Sequence, residues 1–193
     1  MFNDLSSPAA LLATRRSGKP RDMVAPGPDE AQLSAILNAA MRVPDHGKLA
    51  PWRFVIVGSD SREAFAEMLK SAYLADKPGA GRLELEAMEQ FARQAPTLVA
   101  VLSTPVESSK IPLWEQELSA GAVCMNLLAS AHAAGFVGSW LTGWPAYSPH
   151  VLQSLGGREG DRIAGFLFVG TPSRELEERP RPAYEAVVST WKG

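Results

Sequence analysis

Arg15-Arg16-Ser17 sets two guanidinium forks and a hydroxyl in three consecutive positions, a grouping suited to the oxygens of a phosphate. A second cationic group lies in "MRVPDHGKLAPWRF", where Arg42, Asp45, His46 and Lys48 crowd the stretch around Pro44 and Pro51. Arg179 and Arg181 in "ERPRP" make a third. Each alone has an ordinary explanation, since basic residues near a helix C-terminus partner its dipole from solvent. Three such groups in a chain of net charge −2 point together to an anion site. The two prolines of the second group hold its donors in place before anything binds, which lowers the ordering cost.

Other chemistries find little support. "GAGRLE", Gly79 to Glu84, starts like a dinucleotide fingerprint but lacks the third glycine and follows a helix, so it reads as a loose helix start. No phosphate-binding GxxxxGK[ST] loop and no GxSxG nucleophile elbow occur. His46, His132 and His150 are too far apart for metal-ligand spacing. Glu115 and Glu117 point to different faces of a helix and suit the positive end of its dipole. Cys124 sits in an apolar segment and reads as a small buried hydrophobe.

The totals bound the class. With 193 residues, 46% hydrophobic and 21% charged, the chain suits one ordinary globular domain over 1–193. Within it, 1–28 reads as an N-terminal helix and loop, and 172–193 as a C-terminal arm. The balance of 19 basic and 21 acidic residues speaks against a nucleic-acid or membrane-surface partner. A single cysteine precludes an internal disulfide and fits a reducing compartment. The arginines of "PAALLATRRSG" follow its apolar patch, the reverse of a secretory signal, and the expectation is a cytoplasmic protein.

The elements that must position these residues follow from pattern. Pro8 to Thr14 is a short helix candidate. Asp29 with Gln32, and Asp60 with Glu63, have capping-box spacing before amphipathic helices. A further helix is expected over roughly 80–94. "WRFVIVG", "TLVAVLS" and "RIAGFLFVG" read as buried strands, and "FVGSWLTG" as a short strand or turn. "PLWEQELSAGAVCMNLLASAHAAG" is a long helix, apolar nearly all round past Glu117, which implies burial on all sides. Ser148-Pro149 opens a small helix that Gly156 ends. The final "YEAVVSTW" looks strand-like and suited to pairing with another subunit. Strands and helices do not alternate as regular βαβ units, so the class is α+β.

The order of "RRS", "VPDHGKLAPWRF", "WEQELSAGAVCMNLL", "GSWLTG" and "FVGTP" resembles that of the FMN-dependent nitroreductases, over residues 10 to about 172. The resemblance is to their minimal, YdjA-like members. It implies a mainly antiparallel sheet flanked by helices, and an intertwined homodimer with an exchanged C-terminal strand and FMN at its interface. Residue by residue, it implies that Arg15, Arg16 and Ser17 meet the FMN phosphate and ribityl chain. Arg42 and His46 would meet the flavin's polar edge, where positive charge stabilises the anionic reduced form. Trp140, Leu141 and Thr142 match the stretch presented by the other subunit, and Arg181 a basic residue on the phosphate. Ser130 to Gly135 matches a segment assigned to nicotinamide in this subgroup, although late in an apolar helix.

The implied activity is ping-pong hydride transfer from NAD(P)H through FMN to an electron-poor small molecule such as a nitroaromatic or quinone. No side chain is nominated as catalytic. There are departures from the family's pattern: Ala50 stands where many relatives carry glutamine, and Leu141 where the nearest subgroup can carry a basic residue. Two other readings keep the flavin. One is a different reaction, dehalogenation or dehydrogenation, for which Ser71 to Gly81 would be a short lid. The other is a non-catalytic flavin-binding dimer.

Overall fold

A computed structural model describes residues 2–108 and 110–193. Its elements are α1 (Pro8–Thr14), β1 (Met23–Val24), α2 (Glu30–Ala40), β2 (Trp52–Val57), α3 (Arg62–Asp76), α4 (Arg82–Arg93) and β3 (Thr97–Ser103). Then come α5 (Leu113–Ala133), β4 (Val137–Leu141), α6 (Pro149–Ser154), β5 (Arg162–Pro172) and α7 (Tyr184–Val187). The sheet runs β1-β5-β3-β2, with β4 also on β5, and every pairing is antiparallel.

Alternation along the central strands divides the core in two. Leu98, Ala100 and Leu102 of β3, with Phe166 and Phe168 of β5, face α3, α4 and α6. Val99, Val101, Leu167 and Val169 face α2 and α5 instead. Side chains of successive strand residues point to opposite faces, so one run of apolar residues serves both layers. Phe91 of α4 meets the rings of Phe166 and Phe168 edge-on, each at 5.2 Å between centroids. The expected α+β architecture, an antiparallel sheet with helices against it, is the observed one.

Four local expectations need correction. First, β2 is an edge strand, with Ile56 52% exposed, because only β3 pairs with it. Second, the box proposed for Asp60 and Glu63 does not form. Ser59–Ser61 makes a 3-10 turn, and both Glu63 oxygens accept hydrogen bonds from Arg93, at 2.8 and 2.6 Å. The box at Asp29 and Gln32 does form. Third, α5 is not buried on all sides: Trp114, Leu118 and Met125 are exposed, and Gly121 and Ala122 half-exposed. Fourth, Tyr184–Val187 of the strand-like terminal stretch forms one helical turn. In the single chain no sheet edge pairs with it.

The α3–α4 hairpin gains rigidity from two side chains. Buried Arg62 donates to the Ala92 carbonyl at 2.7 Å and reaches the carbonyls that follow, closing the end of α4. Glu84 accepts from Tyr73 at 2.9 Å, from the Gly81 backbone at 2.9 Å, and from Lys77. Ser71 to Gly81 is therefore the end of a helix and a fastened turn. Among the described residues no helix is long and apolar enough to cross a membrane.

Candidate functional site

The first cationic group is framed by buried neighbours. The Arg15 guanidinium donates to Ser17 Oγ at 3.1 Å, and among the described residues no carboxylate pairs with it. Burial, and then the positive charges of Arg181 and Arg16, push the Arg15 guanidinium below its ordinary value. Three arginines from opposite ends of the chain thus face one another. Among the described residues their only carboxylate within ion-pair distance is Glu178, 3.4 Å from Arg16 and 4.0 Å from Arg181. Such mutual repulsion is what a bound dianion would relieve.

The backbone here is held firmly. Asn3 brackets Arg16 by accepting its N–H at 2.9 Å and lying 3.5 Å from its carbonyl. The Arg16 side chain, 13% exposed, donates twice to the Glu177 carbonyl. That contact fastens the arm carrying Arg181. Gly18 lies so close to β4 that a Cβ would come within 2.8 Å of Val137.

The second group is built differently. Gly47, Lys48 and Ala50 have φ of 78, 58 and 48°. A left-handed conformation in non-glycine residues costs roughly 1–2 kcal/mol each and persists only where neighbours impose it. Asp45 imposes it, accepting the backbone N–H of Leu49 at 3.2 Å and of Ala50 at 2.8 Å. Helix α5 supplies the rest. Glu115 accepts from His46 Nδ1 at 2.6 Å, Ser119 donates to the Pro44 carbonyl at 2.9 Å, and Asn126 donates to the Ala39 carbonyl at 2.7 Å. Glu115, Ser119 and Asn126 share one helical stripe, spaced by four and seven residues. Arg42 and His46 are themselves exposed.

The strand residues complete the list. Trp140 lays its indole across β5, donating to the Ala164 carbonyl at 3.0 Å. Gly165 makes this possible, because a Cβ there would lie 1.9 Å from the indole nitrogen. Leu141 and Thr142 are half-exposed at the strand's end. Cys124 is buried, and burial pushes its thiol up to about 12, so it is an inert core residue as expected.

One chain therefore brings Arg15, Arg16, Ser17 and Arg181 together, but not Arg42 and His46 with them. The contacts of Arg16 and His46 to α5 fall at His132 and Glu115. Seventeen residues at 1.5 Å rise separate those anchors by roughly 25 Å along the helix. The layout suits an elongated ligand with an anionic end. Sequence reasoning missed Asn3, Ser119, Asn126, His132 and Gly165, all of which position the named residues rather than carry charge.

The Nitroreductase family profile matches residues 12–171, most of the chain. The chain belongs to the Nitroreductase family. It is 38% identical over 162 residues to the Escherichia coli K12 protein named "Putative NAD(P)H nitroreductase YdjA", covering 84% of this chain and 86% of that one. The fold matches a nitroreductase-like family protein from Bacillus cereus with a TM-score of 0.83, at 20% identity and covering 97% of both chains. It also matches the FMN and NADPH-dependent nitroreductase NfnB of a Sphigopyxis strain with a TM-score of 0.76, at 19% identity, covering 97% of this chain and 99% of that one. Within this chain Arg15 to Ser17 is the best-anchored of the cationic segments.

Proposed function

We propose that this nitroreductase is an FMN-dependent NAD(P)H oxidoreductase acting as a homodimer in the cytoplasm. The observation that carries the reading is the clustering of Arg15, Arg16 and Arg181, where among the described residues the one carboxylate is Glu178, paired with Arg16 and Arg181, beside the Ser17 hydroxyl. These residues would bind the FMN phosphate, Arg15 and Arg181 offering guanidinium donors and the Arg16 guanidinium, held by the Glu177 carbonyl, adding charge beside them. Arg42 and His46 would supply positive charge and a hydrogen-bond donor to the flavin's polar edge. Trp140, Leu141 and Thr142 would come from the other subunit. The FMN and NADPH dependence named for NfnB supports this reading.

When bound, FMN would supply hydride-transfer chemistry at N5, between NAD(P)H and an electron-poor acceptor such as a nitroaromatic or quinone. Donor and acceptor would use the same space in turn, a ping-pong cycle. The protein binds, orients and sets the local charge; no side chain is assigned a proton-transfer step. The dimer is supported by the exposed apolar stripe Trp114, Leu118 and Met125 on α5, and by the exposed Tyr184, Val187 and Trp191 of the arm. Apolar residues at this helical spacing are an unburied face.

The deciding experiment is the absorbance spectrum of purified protein before and after anaerobic NADPH. A yellow protein that bleaches, and oxidises NADPH faster when a nitroaromatic is added, is the expected result. Protein that stays colourless after incubation with FMN overturns the reading. Flavin that binds but bleaches slowly or not at all points to the non-catalytic dimer.

A further inference from the structure

His132 enters none of these roles. It lies in the last turn of α5, 1% exposed, and is the largest polar side chain of the core on that side. Three elements meet at its ring. Nδ1 is 2.6 Å from the Leu128 carbonyl on α5. Nε2 is 3.1 Å from the Arg16 carbonyl and 3.3 Å from the backbone nitrogen of Gly138 on β4. Gly138 lets β4 lie close against α5; a Cβ there would fall 2.7 Å from the Leu128 side chain.

We propose that His132 is a positioning residue for the anion segment: its Nε2 edge lies between the Arg16 carbonyl and the β4 backbone and, by donating to Arg16, aims Arg15, Arg16 and Ser17. The neutral ring has one N–H, and burial keeps it neutral, pushing the imidazole down to about 4. With hydrogen on Nε2, the ring donates to the Arg16 carbonyl. With hydrogen on Nδ1, it donates to Leu128 and accepts the Gly138 N–H at Nε2. The Leu128 carbonyl already serves the helix ladder, whereas the other side-chain donor to Arg16 is Asn3 at 3.5 Å. Without His132 this part-buried carbonyl would keep only that long contact, so the Nε2 contact is the one with consequences. Burial also removes His132 from any direct contact with nicotinamide, although it lies within Ser130 to Gly135.

The consequence for cofactor affinity rests on the FMN reading; the holding of the segment does not. Two measurements separate them. Glutamine places its amide near Nε2 and can both donate to Arg16 and accept from Gly138, whereas asparagine reaches only the Nδ1 position. In FMN-free protein, trypsin nicking after Arg15 and Arg16 is read by mass spectrometry, with cleavage after the exposed Arg158 as the internal reference. His132→Asn is expected to accelerate nicking of the segment at least tenfold over the reference, and His132→Gln by less than threefold. FMN titration by fluorescence quenching is expected to follow the same order, with affinity at least tenfold weaker for His132→Asn and within threefold of wild type for His132→Gln. Equal behaviour of the two variants, or faster nicking in a folded His132→Gln protein alone, overturns the proposal. Wild-type protein that fails to bind FMN overturns the cofactor reading, while the nicking result still decides what His132 holds.

Discussion

The segment Arg15–Ser17 and the loop Arg42–Ala50 are both cationic, yet they are built on opposite principles. The first is framed by the buried His132, by Asn3 and by the close contact of Gly18 with Val137, and its arginines face one another. The second is exposed, carries three left-handed residues in four positions, and is fastened chiefly by its own Asp45 and by polar residues of α5. One chain by itself gathers the inner arginines around Glu178. It leaves the other half of the site strained and open beside an uncovered apolar stripe. On the proposed function this difference is a division of labour: the inner segment would supply binding energy, and the outer loop geometry that a second subunit would cover.

The largest effect should come from removing the inner charges. Each charge-assisted hydrogen bond is worth roughly 1.5–3 kcal/mol, so Arg15→Ala with Arg16→Ala should weaken FMN binding by at least ~100-fold. Arg42→Ala should cost about tenfold, since its contact would be to the flavin edge and not to a dianion. Fluorescence titration of both proteins checks the ratio. Equal losses would erase the asymmetry between the two regions.

Acid should act on the inner region next. The folded-state value of His132 lies near 4, below the ordinary 6.5, because burial disfavours the charged ring. Between those values the unfolded chain binds the extra proton, so stability falls as pH drops from about 6.5 to 4 and is fully present above 6.5. Two to three pH units correspond to on the order of 3 kcal/mol. Denaturant melts of wild type against His132→Gln should show this slope in the wild type and its absence in the variant. A matching slope in both would assign acid sensitivity to other groups.

These contrasts also explain what could be read beforehand. The strands, the Asp29–Gln32 cap, the long helix and the α+β class follow from local pattern, while the antiparallel sheet flanked by helices came from the family resemblance. Arg15, Arg16 and Arg181 were legible because cations advertise themselves by type. Ser119, Asn126 and His132 were not, because each grips a backbone carbonyl distant in the chain. A carbonyl has no sequence signature, so only the fold shows which side chain meets it. Gly165 was hidden in the same way: a glycine within a strand means little until Trp140 is seen lying on it. The terminal stretch misled for a different reason. Val187 and Val188 favour extended backbone, but a strand needs an edge, and the lone chain brings none to it.

A smaller prediction probes the outer loop. Ala50 holds a φ of 48°, a conformation that glycine adopts without strain. Relief of about 1–2 kcal/mol of strain is partly offset by the roughly 0.5–1 kcal/mol of extra freedom glycine brings to the unfolded chain. Ala50→Gly should therefore raise stability by about 0.5 kcal/mol in denaturant melts. If the loop's strain were incidental, FMN affinity would stay unchanged or rise with stability. If the loop stores strain to hold Arg42 and His46 ready, the same substitution lets it wander, and affinity should fall about threefold while stability rises. Opposite signs in one variant cannot come from general loosening of the fold, which would lower both.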